Sequence, residues 1–291
     1  MVISAERIRT LAGKEYTSLL KASNMNLYQE LQQAPTFFLI AGPCVVEEYA
    51  IMKEVAETLC ELSDKLSIPL VFKASYSKAN RSSVTSASGP GIDDGLEVLQ
   101  RLKSEFGFAI LTDVHESDEV EKAAKVCDIL QIPAFLSRQT FLIRAAAQTS
   151  RIINIKKGQF MAPEDMHSAA KKAVSAGNDQ VLLTERGASF GYHNLVVDFR
   201  SFPIMAESGF PIVYDVTHSL QRPSIGRVSG GAPEYASMMA SAAIATGYVQ
   251  GLFIETHPNP AQALSDAASM LPLNELEALL IRAKRIKETI T

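Results

Sequence analysis

The chain predicts an α/β fold, a single closed (β/α)8 barrel preceded by an N-terminal extension, and three observations lead there. From position 37 onward, eight short apolar runs of strand type alternate with stretches of helical period. Each run starts apolar on both faces, as a parallel strand covered by helices does. The 291 residues suit one large barrel, and no low-complexity tract divides them. A doubly wound open sheet is the structural alternative, and only closure between the first and last runs separates the two.

In chain order the runs are FFLIAG (37–42), LVFKA (70–74), AILTDV (109–114), ILQI (129–132), IINIK (152–156), VLLTE (181–185), IVYDV (212–216) and LFIE (252–255). Helical stretches lie between them at 47–66, 94–106, 118–125, 163–176 and 233–246. A last one at 275–289 closes the chain behind Asn274, a residue type that caps helices. Pro163 and Pro233 suit first-turn positions, where no amide donor is missed. Positions 1–36 carry a weakly helical pattern through Leu19, Leu20, Leu27 and Leu31, which fits a cap on the barrel bottom or an assembly contact. The expected division is an extension over 1–36 and a catalytic barrel over 37–291.

Composition narrows the function. Hydrophobic residues at 47% and charged ones at 21% belong to a protein that buries a sizeable core. The net charge of −4 gives no global basic field for nucleic acid or an anionic membrane, so any anion site is local. Cys44, Cys60 and Cys127 are odd in number and widely spaced, which fits a reducing compartment, and the charged N-terminus does not read as a secretory signal; the expected location is cytoplasmic. The uncharged stretch 235–254 matches a membrane span in length, but Gly247, Gln250 and Gly251 interrupt it, so a buried helix and strand are expected. Met238 and Met239 are assigned to packing.

In such a barrel the chemistry gathers at the C-terminal ends of the strands. There the sequence places Cys44, Lys73, Asp113, Gln131, Lys156, Arg186, His218 and Glu255, with Lys78, Asn80 and Arg81 on the loop after the second strand. The segment FKASYSKANRSS adds Ser75, Ser82 and Ser83 as hydrogen-bond donors. Strands that end repeatedly in Lys or Arg converge positive charge on one mouth, as an anionic, phosphorylated ligand requires. No GxxxxGK[ST] element supports a nucleotide P-loop. Barrel closure would also bring together Cys44, His218, Glu255 and Asp266, a mixed donor set suited to Zn²⁺, Fe²⁺ or Mn²⁺. His257 ranks below His218 as a ligand. Phe190 is a candidate pocket wall, and the glycines of 89–91 and 229–231 are weak candidates for an oxyanion cradle.

The motifs AGPC, FKASYSKANRSS, TDVHE, QIPAFLSRQT, INIKKGQF, ERGASFGY, DVTHSLQ, SGG and FIETHPNP occur in this order. Together they resemble the 3-deoxy-D-manno-octulosonate 8-phosphate synthases, from about position 37 to the C-terminus. The resemblance implies a homotetrameric TIM barrel that condenses phosphoenolpyruvate with D-arabinose 5-phosphate and releases inorganic phosphate, a transferase of lipopolysaccharide biosynthesis. It implies that Lys73, Lys78, Lys156 and Arg186 hold the phosphoenolpyruvate phosphate and carboxylate, with Ser75 and Gln131 completing that site. Asn80, Arg81 and Ser82 would receive arabinose 5-phosphate, Arg138 would reach its phosphate from a neighbouring subunit, and Asp113 would lie near the sugar hydroxyls. Cys44, with His218, Glu255 and Asp266, matches the metal-requiring branch, whose relatives without metal carry Asn at the first-strand position. The alternatives are the related synthase that uses erythrose 4-phosphate, whose second-strand motif reads KPRTS, and a non-catalytic phosphosugar-binding barrel.

Overall fold

A computed structural model describes residues 26–79, 88–223 and 230–290. Its strands are β1 (Phe38–Gly42), β2 (Leu70–Lys73), β3 (Ala109–Asp113), β4 (Ile129–Ile132), β5 (Ile152–Lys156), β6 (Val181–Glu185), β7 (Ile212–Asp215) and β8 (Val249–His257). All pair in parallel in this order, and β1 pairs with both β2 and β8, so the sheet closes. Closure decides against the open sheet: Gly42 lies opposite Glu255, and the first-strand loop comes to the end of the last strand.

The period-2 alternation of the strands divides the molecule into two cores. Side chains of one parity, such as Leu39, Phe72, Ile110, Leu130, Ile153 and Leu183, face the surrounding helices. Those of the other parity, Phe38, Ile40, Val71, Leu111, Ile129, Ile152, Leu182, Val213 and Phe253, fill the barrel interior. Two residues further along the same face the side chains turn polar: Lys73, Asp113, Gln131, Asn154, Thr184, Asp215 and Glu255 are all buried. The barrel is therefore an apolar plug beneath a layer of polar and charged groups.

Helix α1 (Leu27–Gln32) is capped by Asn26, whose side chain accepts the Gln29 amide at 3.0 Å. Its Tyr28 and Leu31 pack into the interior cluster, and Tyr28 Oη donates to the Val181 carbonyl at 3.0 Å, so this segment covers the barrel bottom. The preceding part of the expected extension lies outside the described residues. The outer helices α2 (Tyr49–Leu66), α3 (Ile92–Phe106), α4 (Val120–Ala124), α5 (Thr140–Gln148), α6 (Asp165–Val174), α7 (Ser201–Ala206), α8 (Val216–Ser219), α9 (Ala236–Ala245) and α10 (Leu273–Ile290) complete the units.

Four expectations need correction. The last strand is longer than 252–255, because Thr256 and His257 pair with a short strand at Leu271–Pro272. Asn274 lies inside α10 and does not cap it, since that same pairing delivers the chain into the helix two residues earlier, at Leu273. The stretch 233–246 starts as a 3₁₀ turn, Pro233–Tyr235, before α9 begins. Met238 is 51% exposed, while Met239 packs against the core as expected. The uncharged stretch resolves into α9 and β8, and no helix among the described residues is long and apolar enough to cross a membrane.

Gly42 shows why the first strand must end as it does. Its φ is +153, and a Cβ there would stand 2.1 Å from the Lys73 carbonyl oxygen on β2. Gly42→Ala is expected to lower stability by about 3 kcal/mol or more, because backbone rather than a flexible side chain must yield. Chemical denaturation of both proteins measures this.

Candidate active site

The polar layer opens on a cavity of about 240 Å³ at the C-terminal end of the barrel, lined among others by Lys78, Asp113, Phe135, Lys156, Arg186 and His218. The loop after β2, the last residue of β5 and the residue following β6 thus bring three cations to one space. Arg186 is 4% exposed; its Nη2 donates to Gln221 Oε1 at 3.0 Å, while Nη1 is buried with no hydrogen-bond partner among the described residues. A buried guanidinium N–H without an acceptor at a cavity wall is a site for an anion. Lys156 Nζ lies 2.7 Å from Asp215 Oδ2 and 3.8 Å from the Phe253 ring centroid, which supports it from below. Burial lowers the Lys156 pKa against the pull of Asp215 and Asp113. Burial also disfavours the Lys78 cation, but Cys44, Glu255 and Asp113 around it push its pKa above the ordinary value.

Asp113 is the hub of a hydrogen-bonded chain that runs across β6, β5, β4 and β3 to the segment after β2. Thr184 Oγ1 donates to Asn154 Oδ1 at 2.6 Å, Asn154 Nδ2 to Gln131 Oε1 at 2.8 Å, and Gln131 Nε2 to Asp113 Oδ1 at 2.6 Å. Ser75 Oγ donates to the other Asp113 oxygen, which also lies 4.0 Å from Lys78 Nζ. Burial alone would raise the Asp113 pKa, but Lys78, Lys73 and Lys156 win and hold it well below its ordinary 3.8. A folded value below the unfolded one gives stabilisation that is complete above about pH 4 and disappears as pH falls further. Urea unfolding of the metal-free protein is expected to show this acid loss, and Asp113→Asn is expected to reduce its steepness.

Beside the cation pocket lies a second cluster. Sγ of Cys44 and one carboxylate oxygen each of Glu255 and Asp266 fall within 4.8 Å of one another. Cys44 donates its thiol proton to Asp266 Oδ2 at 3.0 Å. His218 Nε2 stands 3.7 Å from Glu255 Oε1 and 3.8 Å from Asp266 Oδ2, so it borders the two carboxylates of this three-residue group. Its Nδ1 lies 3.0 Å from Asp215 Oδ1; a proton on Nδ1 shared with this carboxylate leaves the Nε2 lone pair toward the cluster. Lys73 Nζ donates to Glu255 Oε1 and, at 2.9 Å, to the Cys44 carbonyl. Glu255 Oε2 remains buried without a hydrogen-bond partner among the described residues.

These observations fit a divalent ion: a soft thiol and two carboxylates, one with an orphaned oxygen, lie close together, with an imidazole nitrogen beside the carboxylates. Burial, then Asp266 and Glu255, push the Cys44 thiol well above its ordinary pKa, so a cation is what this sulfur needs to shed its proton. Burial would raise Glu255 too, yet Lys73, His218, Lys78 and Lys156 hold it at about 2, ionised and ready to ligate.

Other expected residues fall elsewhere. Asn80, Arg81 and Ser82 lie outside the described residues. Arg138 is exposed and outside this chain's own cavity, its carbonyl accepting Lys172 Nζ at 2.7 Å. Phe190 is 54% exposed and pairs with Tyr192; Phe135 takes the wall position instead. Gly91 N–H donates to the Tyr76 carbonyl and so is already used, while a Cβ at Gly231 would meet the Ala268 backbone. The residues that the ends of the runs did not reveal are Asn154, Thr184 and Asp215. Their signal is parity, each standing two places after an interior apolar residue: Ile152, Leu182 and Val213.

The model of the DAHP synthetase I family matches residues 32–291, nearly the whole described chain. The chain belongs to this family. Within the DAHP synthetase I family it is 52% identical over 249 residues to a 2-dehydro-3-deoxyphosphooctonate aldolase of Geotalea daltonii, covering 85% of this chain and 91% of that one. Proteins of the same name from Variovorax paradoxus (53% identical, 84% of this chain and 88% of the relative) and Protochlamydia amoebophila (49%, 87% and 92%) are similar to it as well. The name denotes the same eight-carbon sugar acid phosphate as 3-deoxy-D-manno-octulosonate 8-phosphate, so these relatives agree with the resemblance read from the motifs.

Proposed function

We propose that the protein condenses phosphoenolpyruvate with D-arabinose 5-phosphate and water, giving 3-deoxy-D-manno-octulosonate 8-phosphate and inorganic phosphate. The observation that carries this is the meeting of Lys78, Lys156 and Arg186 on one cavity that also reaches His218, with the Arg186 Nη1 donor awaiting an acceptor. One substrate brings a phosphate and a carboxylate, the other a phosphate and an aldehyde. Arg186 and Lys156 hold the phosphoenolpyruvate anion, Lys78 neutralises it from the second-strand loop, and Lys73 supports the arrangement through Glu255. Ser75 and Gln131 fix Asp113 toward the sugar hydroxyls, while Asn80, Arg81 and Ser82 receive the pentose.

In this reading C3 of phosphoenolpyruvate forms a bond to the aldehyde carbon, water adds at C2, and the hemiketal phosphate then loses phosphate by carbon–oxygen cleavage. No enzyme-bound covalent intermediate is needed, so the side chains act by orientation and charge. Burial lowers Lys156, which suits it to exchange a proton with the substrate, whereas Lys78 stays a fixed cation. Cys44, His218, Glu255 and Asp266 would hold a divalent ion, Zn²⁺, Fe²⁺ or Mn²⁺, which supplies Lewis acidity beside the reacting groups. In a homotetramer Arg138 would serve the neighbouring site, and the exposed Phe141 and Phe160 offer apolar surface for such an assembly. Three free cysteines support a cytoplasmic location.

Phosphate release measured side by side with arabinose 5-phosphate and erythrose 4-phosphate tests the reading. Faster turnover with the pentose is expected. Faster turnover with erythrose 4-phosphate overturns the choice of sugar, and binding without release from either favours the non-catalytic barrel.

A further inference from the structure

Among the clustered donors Asp266 is the odd member. Glu255 belongs to β8 and Cys44 follows β1 by two residues, whereas Asp266 sits in the connection between β8 and α10 with φ +52. Part of its placement is local, since the Ser269 and Met270 amides donate to its carbonyl at 2.9 and 3.2 Å. The tie from that connection to the barrel is made by Glu47. Its side chain is only 3% exposed; Oε1 accepts the Leu264 amide at 3.2 Å, and Oε2 lies 3.5 Å from His257 Nε2, also 3% exposed. His257 Nδ1 accepts the Asn259 amide at 2.9 Å, so the ring proton of the neutral imidazole is on Nε2, facing Glu47.

The spacing makes this more than a loop contact. Glu47 follows Cys44 by three residues, His257 follows Glu255 by two, and Leu264 precedes Asp266 by two. One buried carboxylate on the segment of the Cys donor therefore adjoins the other two, hydrogen-bonded to the segment of the Asp donor and 3.5 Å from His257 on that of the Glu donor. A carboxylate buried for stability alone would be matched or bettered by an apolar side chain of similar volume. We infer that Glu47, paired with His257, is a positioning residue that sets the distance of Asp266 from Cys44 and Glu255. The inference rests on the metal reading given above.

The test is Co²⁺ titration of the full-length, chelator-stripped protein, following the thiolate-to-cobalt absorption band and the visible cobalt bands. Glu47→Ala and Leu264→Pro are each expected to weaken Co²⁺ binding about 10- to 100-fold, the usual effect of losing a group that orients a ligand. Leu264→Pro leaves Glu47 in place and removes the amide donor together with a leucine side chain that is 48% exposed, behind an Ala263 whose φ of −62 and ψ of 140 tolerate a following proline, and it carries the test if Glu47→Ala fails to fold. Glu47→Gln, which keeps an oxygen for the Leu264 amide, is expected to lose less than about tenfold. Affinity within about twofold of wild type and an unchanged spectrum in Glu47→Ala or Leu264→Pro, whatever the melting temperature, would overturn the inference. A wild-type protein that gives no thiolate band overturns the metal reading itself.

Discussion

Replacing Cys44 by alanine is expected to cut turnover by about 10³-fold, roughly 4 kcal/mol of transition-state stabilisation, together with loss of bound divalent metal. The sulfur is fully buried, and its neighbours within the cluster are the Glu255 and Asp266 carboxylates. Removing it leaves Glu255 and Asp266 facing each other with one fewer protein donor. The fold should tolerate the change, because alanine fits the space and the strand pairing of β1 is untouched. Metal content by elemental analysis and turnover with both substrates check the two halves of the statement. Full metal occupancy with normal turnover would show that the sulfur is only a packed side chain.

Arg186→Ala is expected to lower kcat/KM for phosphoenolpyruvate by about 10²- to 10³-fold, roughly 3–4 kcal/mol, with a smaller effect on the sugar's KM. The side chain is 4% exposed and reaches the cavity wall; what it loses is a fork already fixed by Gln221, with one N–H free for the ligand. Arg186→Lys should recover only part, since an ammonium cannot present two parallel donors. Initial rates with each substrate varied in turn separate the effects. An equal loss in both KM values would place Arg186 in general charge balance and not at the phosphoenolpyruvate end.

The strands were legible because parallel barrel strands are apolar at their starts, and seven of the eight expected runs lie within one residue of the observed bounds at each end, ILQI, IINIK and VLLTE matching outright. The residues at their ends were legible for the same reason: after a closed apolar interior, any Lys, Asp or Glu of the inward parity has the mouth to point into. Asp215 was not, although it pairs with Lys156 and lies 3.0 Å from His218 Nδ1, because a single acid inside IVYDV looks like a strand end until closure places Lys156 and His218 beside it. The continuation of β8 to His257 was also hidden, since it depends on a two-residue strand fifteen positions away in sequence. His257 meets the alternation expected of a ligand yet faces Glu47, a pairing that no local pattern announces. Met238 was misplaced because α9 is apolar on nearly all sides, which leaves its buried face undefined by period alone.

The measurement that tests the central claim most directly is phosphate release from phosphoenolpyruvate and arabinose 5-phosphate before chelation, after it, and after add-back of Mn²⁺, Fe²⁺ or Zn²⁺. Activity that vanishes on chelation and returns with a divalent ion is the predicted result. Undiminished release from thoroughly metal-free protein would contradict it, leaving the cluster of Cys44, His218, Glu255 and Asp266 without a metal to hold.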